Sequence, residues 1–467
     1  MKGGEKVKVA IIGAGSVRFA LQLVGDLAKT SELSGTLVTL MDINEERLNA
    51  TWILAQKYVQ ELDADLRLEV VPSLPQALEG ADFVINTAAP SYPDRYDLVT
   101  AIGEKHGYYR GIDSQEFNMV STYSYVLCSY YDLQLALNIA HSMEKFCPHA
   151  WLLQTANPVL EITQLLSKYT QVKAVGFCHG FSGVYEVFRT LGLEAQAVDW
   201  QVAGVNHGIW LNRFRVQGED AYPLLECWIA EKSHLWEPSN PWDVQLSPAV
   251  IDMYRFYGML PIGDTCRNGT WKYNYNLETK KKWYGKFGGI DNEVERPRFH
   301  EELRQSKQKL VDLAQEVKKD SSLKLTKVYP ELFSREKLSG EQHIPFISAI
   351  TGHTETRLIL NIPNQGAIQG IPDDIIVEIP VWVSGDCLRR EPLQPDLTER
   401  IKYMYLLPRI LRMHWALEAF LSKDKRVLEE ILVRDPRTRS FEQVQEVLQD
   451  IMSLPVNKEM AEYFGYS

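Results

Sequence analysis

The chain has 467 residues, 45% of them hydrophobic and 24% charged, which is the composition of a globular protein large enough for two domains. Its 50 basic and 61 acidic residues give a net charge of −11 without a basic stripe, so we expect no nucleic-acid partner. There is no run of 18 apolar residues and no apolar signal region, so we expect a cytoplasmic protein that does not enter membranes. Six scattered cysteines without a Cys-x-x-Cys motif are expected to be mostly reduced.

The first 200 residues alternate between short apolar strands and helices. Strands are predicted over residues 6–12, 36–41, 66–71, 83–85, 151–153 and 174–177, and helices over 19–27, 45–62 and 132–146. This alternation predicts a Rossmann-like, doubly wound parallel sheet in a domain spanning residues 1–200. Ligands bind such sheets at the carboxyl ends of the strands. Four residues stand at or just after predicted strand ends and are expected to share one crevice: Asp42, Asn86, Asn157 and Cys178.

After residue 200 the pattern changes. Strands are predicted over residues 198–205, 208–216, 357–362 and 375–383, and helices over 293–319, 400–421 and 441–452. The first two of these strands suit a mixed or antiparallel sheet, so residues 201–467 are predicted to form an α+β domain for substrate, metal and oligomer contacts. Residues 263–288, rich in Tyr, Trp, Lys and Asn, are expected to be irregular, either covering a site or lying at the surface.

The turn after the first strand carries Gly13-Ala14-Gly15-Ser16. Its glycines match the first two of a dinucleotide fingerprint, while Arg18 replaces the third, which serves helix–strand packing rather than phosphate approach. Asp42 ends the second strand, where a carboxylate binds ribose hydroxyls and disfavours a 2′-phosphate. With Asn86 at the end of the fourth strand, these residues predict NAD. The alternative is a strand–turn–helix without a ligand.

Cys178 and His207 each follow an apolar strand. A thiolate and an imidazole are ligands for a borderline-soft divalent metal. Each residue alone has a simpler explanation, because a lone cysteine is usually buried and structural and a lone histidine is usually a satisfied core residue. Together they predict a metal site whose open positions accept substrate oxygens.

A set of motifs in chain order gives the chain a family resemblance. The motifs are Gly13-Ala14-Gly15-Ser16, Leu40-Met41-Asp42-Ile43-Asn44, Thr155-Ala156-Asn157-Pro158, Gly176-Phe177-Cys178-His179-Gly180, Gly204-Val205-Asn206-His207, Asn361-Ile362-Pro363-Asn364-Gln365-Gly366-Ala367-Ile368 and Val377-Glu378-Ile379-Pro380. Over nearly its whole length the chain resembles glycoside hydrolase family 4, the NAD- and divalent-metal-dependent glycosidases, an exception to two-carboxylate hydrolysis. The resemblance implies an architecture similar to that of lactate and malate dehydrogenases, and a homodimer or homotetramer.

The same resemblance implies roles for particular residues. Cys178 and His207 would bind Mn²⁺, or a similar ion such as Co²⁺ or Ni²⁺, and Asn157 would contact substrate hydroxyls nearby. Glu116 resembles the acidic site residue of the family. Its alternative is a carboxylate at a helix N-terminus. 

Further site residues concern the base and the substrate. Asp264 and Arg267 resemble a D-x-x-R pair in which the aspartate is the base near C2 and the arginine binds substrate, with a surface ion pair as the alternative. Arg95 is a candidate for a substrate carboxylate, since guanidinium groups fit carboxylates. Its alternative is a solvated surface arginine.

The motif Cys178-His179-Gly180 bears on the substrate, with His179 as a further substrate contact. Members that act on 6-phosphoglycosides usually carry Cys-Asn or Cys-Asp, and neutral α-glucosidases and α-galactosidases typically carry Cys-His-Ser. Cys-His-Gly resembles the α-glucuronidase branch. We therefore expect an exo-acting enzyme on α-D-glucuronides, with α-galacturonides and neutral α-glucosides as alternatives.

The implied reaction proceeds by oxidation at C3, metal-assisted removal of the C2 proton, 1,2-elimination, water addition and re-reduction. Two other functions remain open from the residues. Thr155-Ala156-Asn157-Pro158 also resembles the Asn-Pro turn of 2-hydroxy acid dehydrogenases, and a non-catalytic NAD-binding protein would need no metal.

Overall fold

The computed structural model describes residues 6–109, 125–352 and 354–466. Its strands are β1 (Lys8–Ile12), β2 (Leu37–Met41), β3 (Arg67–Val70), β4 (Phe83–Asn86), β5 (Trp151–Gln154), β6 (Lys173–Gly176), β7 (Val198–Val205), β8 (Gly208–Val216), β9 (Glu219–Asp220), β10 (Leu260–Ile262), β11 (Thr356–Pro363), β12 (Ile376–Ser384) and β13 (Cys387–Arg390).

The α-helices are α1 (Arg18–Lys29), α2 (Glu45–Leu62), α3 (Leu74–Leu78), α4 (Asp94–Lys105), α5 (Val126–Phe146), α6 (Val159–Tyr169), α7 (Gly183–Thr190), α8 (Tyr222–Glu231), α9 (Pro248–Tyr257), α10 (Trp271–Asn274), α11 (Leu277–Tyr284), α12 (Glu295–Lys319), α13 (Leu325–Val328), α14 (His343–Ile350), α15 (Glu399–Ile401), α16 (Leu407–Ser422), α17 (Lys425–Val433), α18 (Phe441–Met452) and α19 (Lys458–Tyr463). A π-helical turn, Lys402–Leu406, joins α15 to α16. Among the helices in these ranges, none combines the length and the apolar character needed to cross a membrane.

The N-terminal half is a doubly wound parallel sheet, as the sequence predicts. Its strand order is β3-β2-β1-β4-β5-β6, and every neighbouring pair is parallel. The strands β1 and β4 are almost wholly buried, which explains their continuous apolar runs. The order reverses between β1 and β4, which is where such sheets open a crevice for ligands.

The later strands extend this sheet instead of forming a separate one. The order continues β6-β11-β12-β7-β8-β10, and each neighbouring pair is antiparallel. In addition, β9 pairs with β8, and β13 pairs with β12. A single-residue pairing, Asn361 of β11 opposite Gly176 of β6, joins the later strands to the parallel sheet, and another, Glu378 of β12 opposite Gly204 of β7, continues it to β7. The antiparallel pairing of β7 with β8 agrees with the prediction. The predicted domain boundary near residue 200 stays a prediction.

Residues 263–288 are more ordered than their composition suggested. The irregular segment predicted there contains α10 and α11. Asn276 caps α11 by accepting the Thr279 N–H at 2.8 Å, and the buried Lys280 ammonium donates to Asn274 at 2.8 Å. These local polar contacts stabilise helices that lack the hydrophobic periodicity on which helix prediction depends.

Candidate active site

Two glycines bring the backbone of the first turn against its neighbours. Gly13 has φ 87°, and a Cβ there would lie 2.5 Å from the Ala88 nitrogen, just past β4. A Cβ at Gly15 would lie 2.7 Å from the Asp42 carboxylate. A Cβ at Gly13 would overlap backbone and one at Gly15 would displace the Asp42 carboxylate, so the turn after β1 packs closely on the loops after β2 and β4.

The polar atoms of this turn suit a dinucleotide. The Asp42 carboxylate accepts the Gly15 N–H and the Asn44 N–H, each at 2.8 Å, and a carboxylate has further lone pairs for ribose hydroxyls. Among the described residues, Ser16 Oγ is buried without a hydrogen-bond partner. The buried Asn86 amide donates to Gln154 at 2.9 Å, so it holds β4 to β5 behind the crevice.

Three potential metal ligands converge beyond β6. The distance between Cys178 Sγ and His207 Nε2 is 3.7 Å, and that between His207 Nε2 and Asp264 Oδ2 is 3.2 Å. Their ligand atoms all lie within 4.8 Å of one another. With bonds of roughly 2.0–2.3 Å, ligand atoms of one ion lie about 3–4 Å apart. The three residues therefore fit a divalent metal.

The local backbone explains this convergence. Cys178 lies just beyond β6, and its sulfur accepts the Gly180 N–H at 3.4 Å. Asp264 lies on the 3₁₀ turn Gly263–Cys266, where Gly263 has φ 61° and a Cβ would lie 2.1 Å from the Gly180 carbonyl oxygen. Thr265 of the same turn accepts the Ile209 N–H of β8 at 2.8 Å. The turn thus contacts both the loop after β6 and the β7–β8 hairpin.

Arg267 is buried and lies between two carboxylates. It donates to Asp264, with an Nε–Oδ1 distance of 3.1 Å, and to Asp291, and it lies 4.9 Å from the centre of the Trp242 ring. Burial would raise the pKa of Asp264, but Arg267 and His207 outweigh it and hold that pKa well below its usual range. The D-x-x-R pair therefore joins a buried arginine to a partly buried aspartate whose carboxylate is ionised.

His179 follows Cys178 in the loop after β6, and it is exposed. Its Nδ1 lies 3.5 Å from Glu341, and this hydrogen bond raises the pKa of His179. Glu341 also lies 3.7 Å from Nδ1 of the buried His343, whose Nε2 is 2.5 Å from Thr155 Oγ1. Glu341 and His343 were not predicted as site residues, because they belong to no motif with a recognisable spacing. They lie near His179 only through the packing of α14.

Behind the ligands lies a buried amide–carboxylate contact. Asn206, next to His207, donates to Glu378 at 2.9 Å, and both side chains are buried. Burial raises the pKa of Glu378, although the hydrogen bond from Asn206 opposes this. Glu378 belongs to the family motif Val377-Glu378-Ile379-Pro380, but its contact with Asn206 depends on the pairing of β12 with β7.

The remaining predicted site residues differ in their surroundings. Asn157 is exposed and lies two residues before α6 begins. Arg95 lies on α4, donates to the Val456 carbonyl at 2.7 Å and stacks on the Tyr131 ring. These described contacts of Arg95 do not include Cys178, His207 or Asp264. Glu116 lies outside the described residues. The substrate and catalytic roles assigned to these residues stay predictions.

Comparisons with known proteins agree with the resemblance drawn from the motifs. The chain is 25% identical to an alpha-galacturonidase of Thermoanaerobacter italicus, covering 94% of this chain and 93% of the relative. It is 26% identical to an alpha-galacturonidase of Thermoanaerobacterium saccharolyticum, covering 92% and 91%. A solved 6-phospho-alpha-glucosidase from gut microorganisms, in complex with NAD and Mn²⁺, has the same fold, with a TM-score of 0.76, 19% identity and coverage of 98% and 99%.

Two family models match successive parts of the chain. The model of family 4 glycosyl hydrolases matches residues 8–194. The model of the family 4 glycosyl hydrolase C-terminal domain matches residues 202–438. Together they cover most of the chain, and they include the fingerprint turn and all three converging ligands. The chain therefore belongs to the family 4 glycosyl hydrolases.

Proposed function

We propose that this family 4 enzyme is an exo-acting α-glycosidase for hexuronides that depends on NAD and a divalent metal. The observation that carries the proposal is the convergence of Cys178, His207 and Asp264 just beyond β6. Because β6 is parallel to β1, this cluster lies at the same edge of the sheet as the fingerprint turn Gly13–Ser16. A dinucleotide and a metal at one edge suit oxidation of a sugar hydroxyl more than direct hydrolysis.

The residues present fit both groups. The close backbone at Gly13 and Gly15, the Asp42 carboxylate and the unpartnered Ser16 hydroxyl suit NAD. Thiolate, imidazole and carboxylate donors suit Mn²⁺, Co²⁺ or Ni²⁺. The solved 6-phospho-alpha-glucosidase that shares this fold contains NAD and Mn²⁺, which supports the same pair here.

Each residue then has a chemical task. When bound, NAD would accept and return a hydride, and the metal would act as a Lewis acid towards neighbouring sugar oxygens. Cys178 and His207 would hold the metal. Asp264 would accept the C2 proton, since its Oδ2 faces the ligands while Arg267 binds the opposite oxygen and fixes the carboxylate in place. Family membership favours this over oxidation of a 2-hydroxy acid.

The hexuronide assignment has two supports. Cys178-His179-Gly180 resembles the α-glucuronidase branch, and two relatives aligned over nearly the whole chain are alpha-galacturonidases. Both substrates carry a carboxylate at C6, which needs a cationic partner when it is buried. We infer that the exposed His179, next to Cys178, meets this carboxylate, because Arg267 is already engaged by Asp264 and Asp291.

The test is a substrate comparison with each cofactor omitted in turn. The p-nitrophenyl α-glycosides of galacturonic acid, glucuronic acid and glucose are assayed with NAD and Mn²⁺. We expect kcat/KM to favour a uronide over the glucoside by roughly 2–4 kcal/mol, the scale of a charge-assisted contact. Turnover should require both cofactors, and product formed in D₂O should carry deuterium at C2. A preference for the glucoside contradicts the substrate class, and full turnover without NAD contradicts the mechanism.

A further inference from the structure

The turn that carries His207 has an unusual backbone. Asn206 and His207 alone connect β7 to β8, since Val205 pairs with Gly208. Two-residue hairpin turns of type I′ favour Asn-Gly because both central residues have positive φ. Here, of Asn206 and His207, only His207 has positive φ, at 132°, and it carries a side chain where glycine is preferred. Such a conformation is strained for a side-chain-bearing residue and persists only when its surroundings hold it.

The surroundings hold His207 through its carbonyl oxygen. Asn268 Nδ2 donates to this oxygen at 3.1 Å, and the Tyr405 hydroxyl lies 3.3 Å from it. The same hydroxyl lies 3.1 Å from the Asn268 carbonyl oxygen. Asn268 and Tyr405 are each 4% exposed, so these contacts face little competition from water.

Each partner also packs against an element of the site. Asn268 follows Asp264 by four residues, so one loop carries both the third candidate ligand and a donor to His207. Tyr405 lies in the π-helical turn Lys402–Leu406, a type of irregularity that recurs at functional sites. Its ring packs on Gly208, where a Cβ would lie 2.6 Å from the ring.

We propose that Asn268 and Tyr405 are positioning residues that hold His207 as a metal ligand. They contact its carbonyl oxygen, while Nε2 of its ring faces Cys178 and Asp264. Neither residue would itself be a metal ligand. The inference depends on the metal role proposed above for Cys178 and His207.

The test uses Tyr405→Phe and Asn268→Ala, which remove one donor each. Mn²⁺ affinity is measured from the electron paramagnetic resonance of free Mn²⁺, and Co²⁺ substitution reports the ligands through the thiolate-to-cobalt absorption. We expect the Mn²⁺ dissociation constant to rise about 10–100-fold, as for outer-shell partners of metal ligands, and the Co²⁺ spectrum to change. NAD affinity should stay unchanged.

Tyr463→Phe is the matched control. Its hydroxyl also donates to a main-chain carbonyl, that of Phe420, at 2.7 Å, but it lies on α19 away from the ligands. It should keep the wild-type Mn²⁺ affinity and Co²⁺ spectrum. Wild-type values in both test variants would overturn the positioning role while leaving the metal role intact. A wild-type protein that binds no Mn²⁺, or a Co²⁺ spectrum unchanged by Cys178→Ala, would instead overturn the metal role and this inference with it.

Discussion

Cys178 differs from the buried cysteines of the chain in what surrounds its sulfur. Burial raises the pKa of the thiols of Cys128, Cys147 and Cys266, so they stay protonated and unreactive. Cys178 is only partly buried, and its sulfur faces an N–H donor and the His207 imidazole. These surroundings suit a metal ligand better than a structural cysteine.

Replacing Cys178 with Ala should therefore remove metal binding without unfolding the protein. We expect the Mn²⁺ dissociation constant to rise more than about 100-fold, since outer-shell partners alone are worth 10–100-fold. NAD affinity, measured by calorimetry, should be unchanged. Cys147→Ala, at a buried cysteine away from the ligands, is the control. Wild-type Mn²⁺ affinity in Cys178→Ala would make Cys178 a structural cysteine.

The substitution Asp264→Asn distinguishes two roles for Asp264, that of catalytic base and that of third metal ligand. If Asp264 is the base, kcat should fall by about 10²–10⁴-fold, and deuterium exchange at C2 should stop. Mn²⁺ affinity should change by only a few-fold. A fall in Mn²⁺ affinity that parallels the loss of turnover would show that Asp264 is the third ligand and that the base is another residue.

At the residue scale, the sequence indicates the candidate ligands more readily than the residues that pack around them. Cys178 and His207 follow apolar strands, and strand ends are where sites form. The contact of Asp264 with them depends on Gly263 packing against Gly180, which are 83 positions apart. Glu341 belongs to no spacing rule. Such contacts arise from tertiary packing, so no local sequence pattern predicts them.

The 3₁₀ turn Gly263–Cys266 is the element that joins the ligand-bearing loops. Gly263→Ala would add a methyl group 2.1 Å from the Gly180 carbonyl oxygen, so the backbone must move. We expect Mn²⁺ affinity to fall and the free energy of unfolding to drop by about 1–3 kcal/mol. Calorimetry with Mn²⁺ and urea unfolding measure the two effects.

Gly218→Ala controls for the backbone angle. Gly218 has φ 85°, but a Cβ there meets nothing within 4 Å. It should lose some stability through the positive φ alone and keep its Mn²⁺ affinity. Equal Mn²⁺ affinities in the two variants would mean that the contact between Gly263 and Gly180 does not support the site.

Among the elements, local pattern predicted those with clear periodicity. The predicted strands 198–205 and 208–216 coincide with β7 and β8, and the predicted helix 45–62 coincides with α2. The helices α10 and α11 were missed because aromatic and polar residues hide their periodicity. The position of β11 and β12 between β6 and β7 has no local signal, since pairing between distant strands is decided by the whole fold.

At the scale of the whole molecule, His343 gives stability a dependence on pH. Its ring lies between Phe19 of α1 and Phe177 after β6, at centroid distances of 5.7 and 4.5 Å. Burial lowers the pKa of His343 from 6.5 to about 4, although Glu341 opposes the shift. The folded protein therefore keeps this imidazole neutral at a pH where the unfolded chain binds a proton.

The sign of the effect follows from proton linkage. His343 contributes stability that is fully present above about pH 6.5 and is lost as the pH falls towards 4, because the unfolded chain takes up the proton first. At roughly 1.4 kcal/mol per pKa unit the loss reaches about 3 kcal/mol. Urea unfolding of the wild type and His343→Gln at pH 7, 6 and 5 measures it. The variant should show a shallower pH dependence, and an equal slope in both proteins would contradict the assignment to His343.

The insertion of β11 and β12 between β6 and β7 has a consequence for the order of events during translation. The ribosome makes Cys178 and His207 within 29 residues of each other, yet the strands that bridge β6 to β7 follow about 150 residues later. At roughly 5–20 residues per second, the nascent chain waits on the order of 10–30 s for these strands. The proposed metal site, which needs Cys178 and His207 close together, would therefore be completed only late in synthesis, after the fingerprint turn has emerged.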